Sequence, residues 1–242
     1  MYNTDLCAAI ISEGVQSVVL PIKKWLPPNV DPSHAGDFFR SSGIADMYAN
    51  YVVWLCACIC HLAWTQINTA DVSYTDVERE PFAHSWHSLW TELQGWAENR
   101  PPELVEFDFG RDTPHAKNNV FPFILYAAPC AISSNQLYHT GCLLLLDMKP
   151  SVINTRSMGH IGSNLWHARR ICGISTTNAH HGCRNNAIQP LWLAGKLLSH
   201  PVEHKAILNL INHIEATTGW NGTWRIRDLK ALWGYDKNEV LL

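Results

Sequence analysis

The 242-residue chain is 47% hydrophobic and only 16% charged, where about 25% charged is usual for a globular domain, and it holds eleven tryptophans. Its 18 basic and 21 acidic side chains leave a net charge of −3, which excludes the surplus of clustered Lys and Arg that binding to a phosphate backbone draws on. A chain of this length and greasiness is expected to build a substantial interior, a partner surface, or both.

The N-terminal stretch "MYNTDLCAAIISEG" has no basic leader and no cleavage pattern, so secretion is not expected. Thr4 or Asn3 can cap a first helix running through Leu6, Ile10, Val15 and Val18 towards Leu20. The proline-rich "PIKKWLPPNVDPSHAG" reads as a connector. A long second helix is predicted from about Asp37 to Thr65. It carries the apolar run Tyr51 to Trp64, fourteen residues, short of the ~20 that span a bilayer and therefore read as a buried core helix.

The third helix has the clearest period. Phe82, Trp86, Leu89, Trp90, Leu93 and Trp96 recur at three- and four-residue steps on one stripe. Pro101-Pro102 ends it, because proline lacks the amide donor and pushes the preceding residue out of the helical region. After a polar loop, Ala131 to Met148 reads as a helix buried on several sides. The next helix points Ile161, Leu165, Ala168 and Cys172 inwards. "NNAIQPLWLAGKLLSH" is a helix with Pro190 tolerated in its first turn. Pro201 opens another, carrying Val202, Ile207, Leu208, Ile211 and Ile214, with Glu203 placed to meet the helix dipole. Gly219 stands where a helix ends in the left-handed region. Then "WNG" turns the chain, and Thr223 or Asn221 caps a last helix with Ile226, Leu229 and Trp233 facing in. Trp224 and Trp233 are expected to be largely buried, Arg225 and Arg227 to flank that face, and Asp228 to pair with one of them. Two strand-like scraps, "SVVLPI" and "SVINTR", cannot build a sheet. The expected architecture is all-α, one domain over 1–242 of about seven or eight helices.

Candidate chemistry is sparse. The cysteines, at 7, 56, 58, 60, 130, 142, 172 and 183, include no C-x-x-C pair, so zinc-ribbon and zinc-finger spacings are absent. Cys56 and Cys60 share a helix face within an apolar run and read as small core residues. His84/His87 and His180/His181/Cys183 are local coincidences rather than ligand sets. No G-x-S-x-G elbow, Gly-rich phosphate loop or facing pair of carboxylates occurs. The expectation is no catalytic, metal or cofactor residue, no enzyme activity and no membrane insertion. The C-terminal "TTGWNGTWRIRDLKALWGYD" sets Trp220, Trp224 and Trp233 beside Arg225, Arg227 and Lys230. From Trp220 to Leu242 there are four basic and three acidic residues, too near neutral for a nucleic-acid surface.

These residues carry a resemblance. "SLWTELQGWAENRPPEL", with the stripe tryptophans Trp86 and Trp90, and "FPFILYAAPCAISSNQLYHTGCLLLL" are similar to the regulatory region of fungal-specific transcription factors with a binuclear zinc cluster. Three C-terminal elements strengthen it: Q-P-L-W (Gln189, Pro190, Trp192), I-E-x-x-T-G-W (Glu215, Gly219, Trp220) and W-R-x-x-D-L (Trp224, Arg225, Asp228, Leu229), with Trp233 following. The likeness is strongest over 82–235. It implies an all-helical regulatory domain of a nuclear transcription factor, acting on RNA polymerase II transcription through other regulators or a small-molecule effector. In that family zinc and DNA contact belong to a six-cysteine basic module, which nothing in this chain matches. A stand-alone small-molecule sensor of the same helical fold is the other reading, motivated by the tryptophan-rich, low-charge interior.

Overall fold

A computed structural model describes residues 6–7, 9–10, 21–69, 76–107 and 119–236. The described residues are all-α and contain no strand. The helices are α1 (Ala35–Ser41), α2 (Ala45–Thr69), α3 (Asp76–Glu98), α4 (Pro129–Asp147), α5 (Asn164–Thr177), α6 (His181–Asn185), α7 (Ile188–Gly195), α8 (Pro201–Thr218) and α9 (Thr223–Leu232). Leu6, Cys7, Ala9 and Ile10 are helical too, and the rest of the predicted first helix lies outside the described residues. Most of "SVVLPI" does so as well; "SVINTR" forms a turn that leads into 3₁₀ structure.

The long second helix is two helices. Ser42, Gly43 and Ile44 separate α1 from α2, and Gly43 takes φ 65°. A left-handed residue at that point turns the chain out of α1, and only glycine adopts it without strain. The polar stretch Arg40-Ser41-Ser42-Gly43 lies at the break, between the apolar pair Phe38-Phe39 and the apolar residues of α2.

Helix α4 lies at the centre, packed against α2, α3, α5 and α7. It is buried nearly all round, so its polar residues must find partners inside the protein. The Thr140 hydroxyl bonds the Gln136 carbonyl at 2.8 Å, and Gln136 Nε2 donates to Ser175 Oγ at 2.6 Å. Helix α2 is long and apolar enough to cross a membrane, and Tyr51, Val52, Leu55, Cys56, Ala57 and Ile59 are buried within the fold. The α3 stripe docks on α2 and α4 with Trp86, Trp90, Leu93 and Trp96 buried. Indole N–H groups taken from water need acceptors. Trp86 Nε1 donates to the Leu145 carbonyl at 2.6 Å, and Trp96 Nε1 to the Tyr48 carbonyl at 3.0 Å. Tyr48 returns the bond from its hydroxyl to the Trp96 carbonyl, also at 3.0 Å.

Helices α7, α8 and α9 form the C-terminal corner, with α7 and α8 also against α5. Ser163 caps α5 by accepting from the Trp166 amide at 3.3 Å. The inward assignment of Leu165 is corrected here, and Val202 lies outside as well. Leu165 is 37% exposed and Val202 is 52% exposed. Both sit in the first turn of their helices, where one more step along the chain turns a side chain off the buried face.

Candidate functional site

Two polar assemblies stand out, one at the C-terminal corner and one in the interior. The corner holds most of the residues singled out by sequence. Arg225 is buried, with its guanidinium carbon 4.4 Å from the Trp192 ring and 4.0 Å from the Trp224 ring. Its Nε and Nη2 both donate to Gln189 Oε1, at 3.0 and 2.9 Å, while Nη1 reaches Asp228 Oδ2 at 3.2 Å. A guanidinium taken out of water needs both a counter-charge and saturated N–H groups; Asp228 supplies the first, and Gln189 with two indole faces supplies much of the second. The Q-P-L-W and W-R-x-x-D-L elements are therefore two halves of one contact. Pro190 and Leu229 are buried beside it.

Trp224 does not fit its expected burial. It is 36% exposed and serves as the outer lid on Arg225, its Nε1 bonded to the Asn221 carbonyl at 3.1 Å. Arg225, expected on the flank, is the group inside. A helix places neighbouring residues 100° apart, so the inward one of this pair is decided by what α7 offers, which is a polar Gln189 and not an apolar pocket. Arg227 is exposed, and Trp220, 56% exposed, lies outside the contact. Trp86 and Trp90 belong to α3, stacked on each other at 5.3 Å.

The I-E-x-x-T-G-W element has its own mechanical reason. Gly219 takes φ 76° and ends α8. The chain folds back, and Glu215 Oε2 accepts from the amides of Gly222 and Thr223 at 2.8 and 2.9 Å and from the Thr223 hydroxyl at 2.9 Å. No side chain at the N-cap of α9 bonds its free amides. Glu215 does that work from the preceding helix, with Asn221 Oδ1 adding a 3.1 Å bond to the Thr223 amide. These donors hold the Glu215 carboxyl below its ordinary value. Glu215→Ala should therefore loosen α9 more than Glu215→Gln, which keeps an acceptor oxygen. Hydrogen-exchange protection of the α9 amides checks this, and equal protection in the two variants would contradict it.

Trp233 closes the corner. Half-buried, it donates from Nε1 to the Gly195 carbonyl at 3.1 Å and stacks on His204 at 3.7 Å. His204 Nε2 donates to the Leu198 carbonyl at 2.9 Å, which leaves Nδ1 to accept from the Tyr235 hydroxyl at 3.0 Å.

The interior assembly was not visible in the sequence. His167 Nε2 lies 2.8 Å from the Ile161 carbonyl and must carry the proton there. His167 Nδ1 is then an acceptor, and at 2.8 Å from His139 Nδ1 it takes that ring's proton. His139 Nε2 is left to accept from Arg170 Nε at 3.1 Å. Arg170 Nη2 continues to Glu106 Oε1 at 2.5 Å, and Arg100, which bonds Asn135, lies 3.6 Å from Glu106 Oε2. One proton arrangement satisfies the whole chain, and it requires both histidines neutral. Burial pushes His139 well below its usual range, aided by His167 and Arg170. Burial also lowers His167, to about 4. Burial alone would raise the Glu106 carboxyl, but the charges of Arg170 and Arg100 outweigh it and leave it low.

Because these histidines bind protons more readily in the unfolded chain, folding stability is complete above their ordinary pKa of 6.5 and is lost as pH falls towards the native values. The expected slope is about 1.4 kcal/mol per pH unit for each histidine. Urea denaturation at a series of pH values between about 7 and 5, above the range where Glu106 and Glu215 protonate, reads it directly. A flat profile would contradict the neutral pair.

The thiols are free. Cys60 and Cys142 are pushed up to about 12 by burial, as befits core residues rather than nucleophiles. Among the described residues no group of three or more His, Cys, Asp or Glu gathers to hold a metal ion. The geometry thus offers packing, a buried ionic chain and surface grooves.

No protein-family model matches the chain, and no solved structure matches it. Over 165 residues it is 30% identical to the transcription activator AMTR1 of Alternaria alternata, in an alignment that covers 61% of this chain and 21% of that protein. The chain spans about a fifth of the length of that fungal relative.

Proposed function

We propose that this chain is a regulatory domain of a fungal transcription factor, working in the nucleus through contacts with other regulators or with a small-molecule effector. The observation that carries the reading is the 30% identity over 165 residues to a transcription activator. Two features support it. The body is all-helical among the described residues. Of the residues that mark the family resemblance, Gln189, Trp192, Trp224 and Asp228 meet at Arg225, while Glu215 caps the helix that carries Trp224, Arg225 and Asp228. DNA contact, with any zinc it needs, falls to a module outside this sequence.

A body of this kind regulates only if an effector or partner binds one of two states better than the other. Fusing the chain to an unrelated DNA-binding module upstream of a reporter tests the reading. The fusion should raise or lower reporter output relative to the module alone, and should do so from the nucleus. Output equal to that of the module alone in every growth condition, with the fusion folded and nuclear, counts against it.

A further inference from the structure

A groove of about 440 Å³ opens between the end of α5, α6, α8 and the segment 119–121. Phe121 and Leu210 are buried in its floor, Ala206 is half-buried, and Thr176, Asn209 and His213 form an exposed polar rim. Its distinguishing group is Arg184, only 9% exposed. Nη1 of Arg184 donates to His213 Nε2 at 3.1 Å. The buried Nε of Arg184 has no hydrogen-bond partner, and no carboxylate lies within ion-pair distance of the guanidinium among the described residues.

The contrast with the other buried arginine is informative. Arg225 meets Asp228, Gln189 and two indole faces. Arg184 has one imidazole, on Nη1, and its buried Nε has no partner among the described residues. A buried cation without a counter-charge is expensive, and its desolvation is offset only by an anion. A guanidinium's planar fork of N–H donors matches the two oxygens of a carboxylate.

We infer that this groove is a binding site for a small organic monocarboxylate, with the carboxylate on the guanidinium of Arg184 and an apolar body over Phe121, Leu210 and Ala206. Charge favours a monoanion over phosphate. Among the described residues Arg184 is the one Lys or Arg lining the groove, and a dianion would retain an uncompensated charge there. The volume lies within the range of small-molecule sites, which combine an apolar lining with a few convergent polar groups. The inference goes beyond the regulatory reading and does not rest on it.

Calorimetric titration of the whole chain with benzoate, hexanoate, benzamide and inorganic phosphate tests the site. Saturable binding at millimolar concentration is expected for benzoate or hexanoate, and none for benzamide, which has the ring without the charge. Two variants locate the ligand. Arg184→Met removes the fork and should weaken binding roughly tenfold or more, the loss expected for a charge-assisted pair. Ala206→Trp fills the groove while leaving Arg184 in place, and it should abolish binding in a protein whose circular dichroism and melting are those of the parent. It keeps the site testable if Arg184→Met fails to fold. No saturable binding of either carboxylate, binding that survives Ala206→Trp, or tighter binding of phosphate than of carboxylates would each overturn the assignment. A failed titration would leave the reporter experiment untouched, and a silent reporter would leave the titration untouched.

Discussion

Trp96→Ala should lower stability by roughly 3–5 kcal/mol, the range for deleting a large buried aromatic. Trp96 is fully buried, exchanges two hydrogen bonds with Tyr48, and stacks on Tyr48 at 6.0 Å and Tyr138 at 5.7 Å. The substitution empties a cavity where α2, α3 and α4 meet and leaves the Tyr48 carbonyl without its donor. For a chain of this size each kcal/mol lowers Tm by about 2–4 °C, so a fall of roughly 10 °C is expected by calorimetry. Trp220→Ala is the matched control. At 56% exposure its effect should stay within about 0.5 kcal/mol. Equal losses from the two would mean that the α3 stripe is not the core.

Arg225→Ala should cost about 3 kcal/mol, the scale set by breaking a buried charged contact that leaves its partners unmatched. Gln189 Oε1 would lose both its donors, and Trp192 and Trp224 would lose the cation between them. Arg225→Lys separates charge from shape. Lysine keeps the charge near Asp228 but cannot direct two N–H groups at one oxygen, so it should recover only part of the loss. Denaturant unfolding of both variants gives the comparison. Full recovery by lysine would show that charge alone holds the corner, and no loss in either variant would remove the contact from the list of what stabilises α9.

Much of the fold was legible because its signals are local. Pro101-Pro102, Pro201 and Gly219 mark helix ends through backbone chemistry that no tertiary contact overrides, and the Trp86–Trp90–Leu93–Trp96 spacing names a buried stripe without reference to what covers it. Errors came where a neighbour decides. Trp224 and Arg225 are adjacent, and hydrophobicity alone puts the tryptophan inside; Gln189, distant in sequence, reverses the order. Leu165 and Val202 fit the helical period but begin their helices beyond the edge of the partner surface. The α1–α2 break shows only as the short polar stretch Arg40 to Gly43, which the outer face of one long helix could also carry.

The sites were less legible than the fold for the same reason. Glu106, His139 and the α5 pair His167 and Arg170 come from three separate segments and form a single proton chain only after α4 and α5 pack. Arg184 looks like any arginine beside "HHGC" until its surroundings show a buried cation with no carboxylate in ion-pair distance among the described residues. By contrast, the elements of the resemblance turned out to have mechanical partners, Gln189 with Arg225 and Glu215 with the start of α9. Such contacts account for why those residues stand together without assigning them any chemistry.

Regulation of transcription is the central proposal, and transcript profiling of a strain lacking the gene for this chain tests it most directly. A defined set of transcripts should shift on deletion, return when the chain is re-expressed, and stay shifted when the re-expressed chain carries Trp96→Ala at a temperature that unfolds it. Transcripts unchanged by deletion under every growth condition would contradict the proposal.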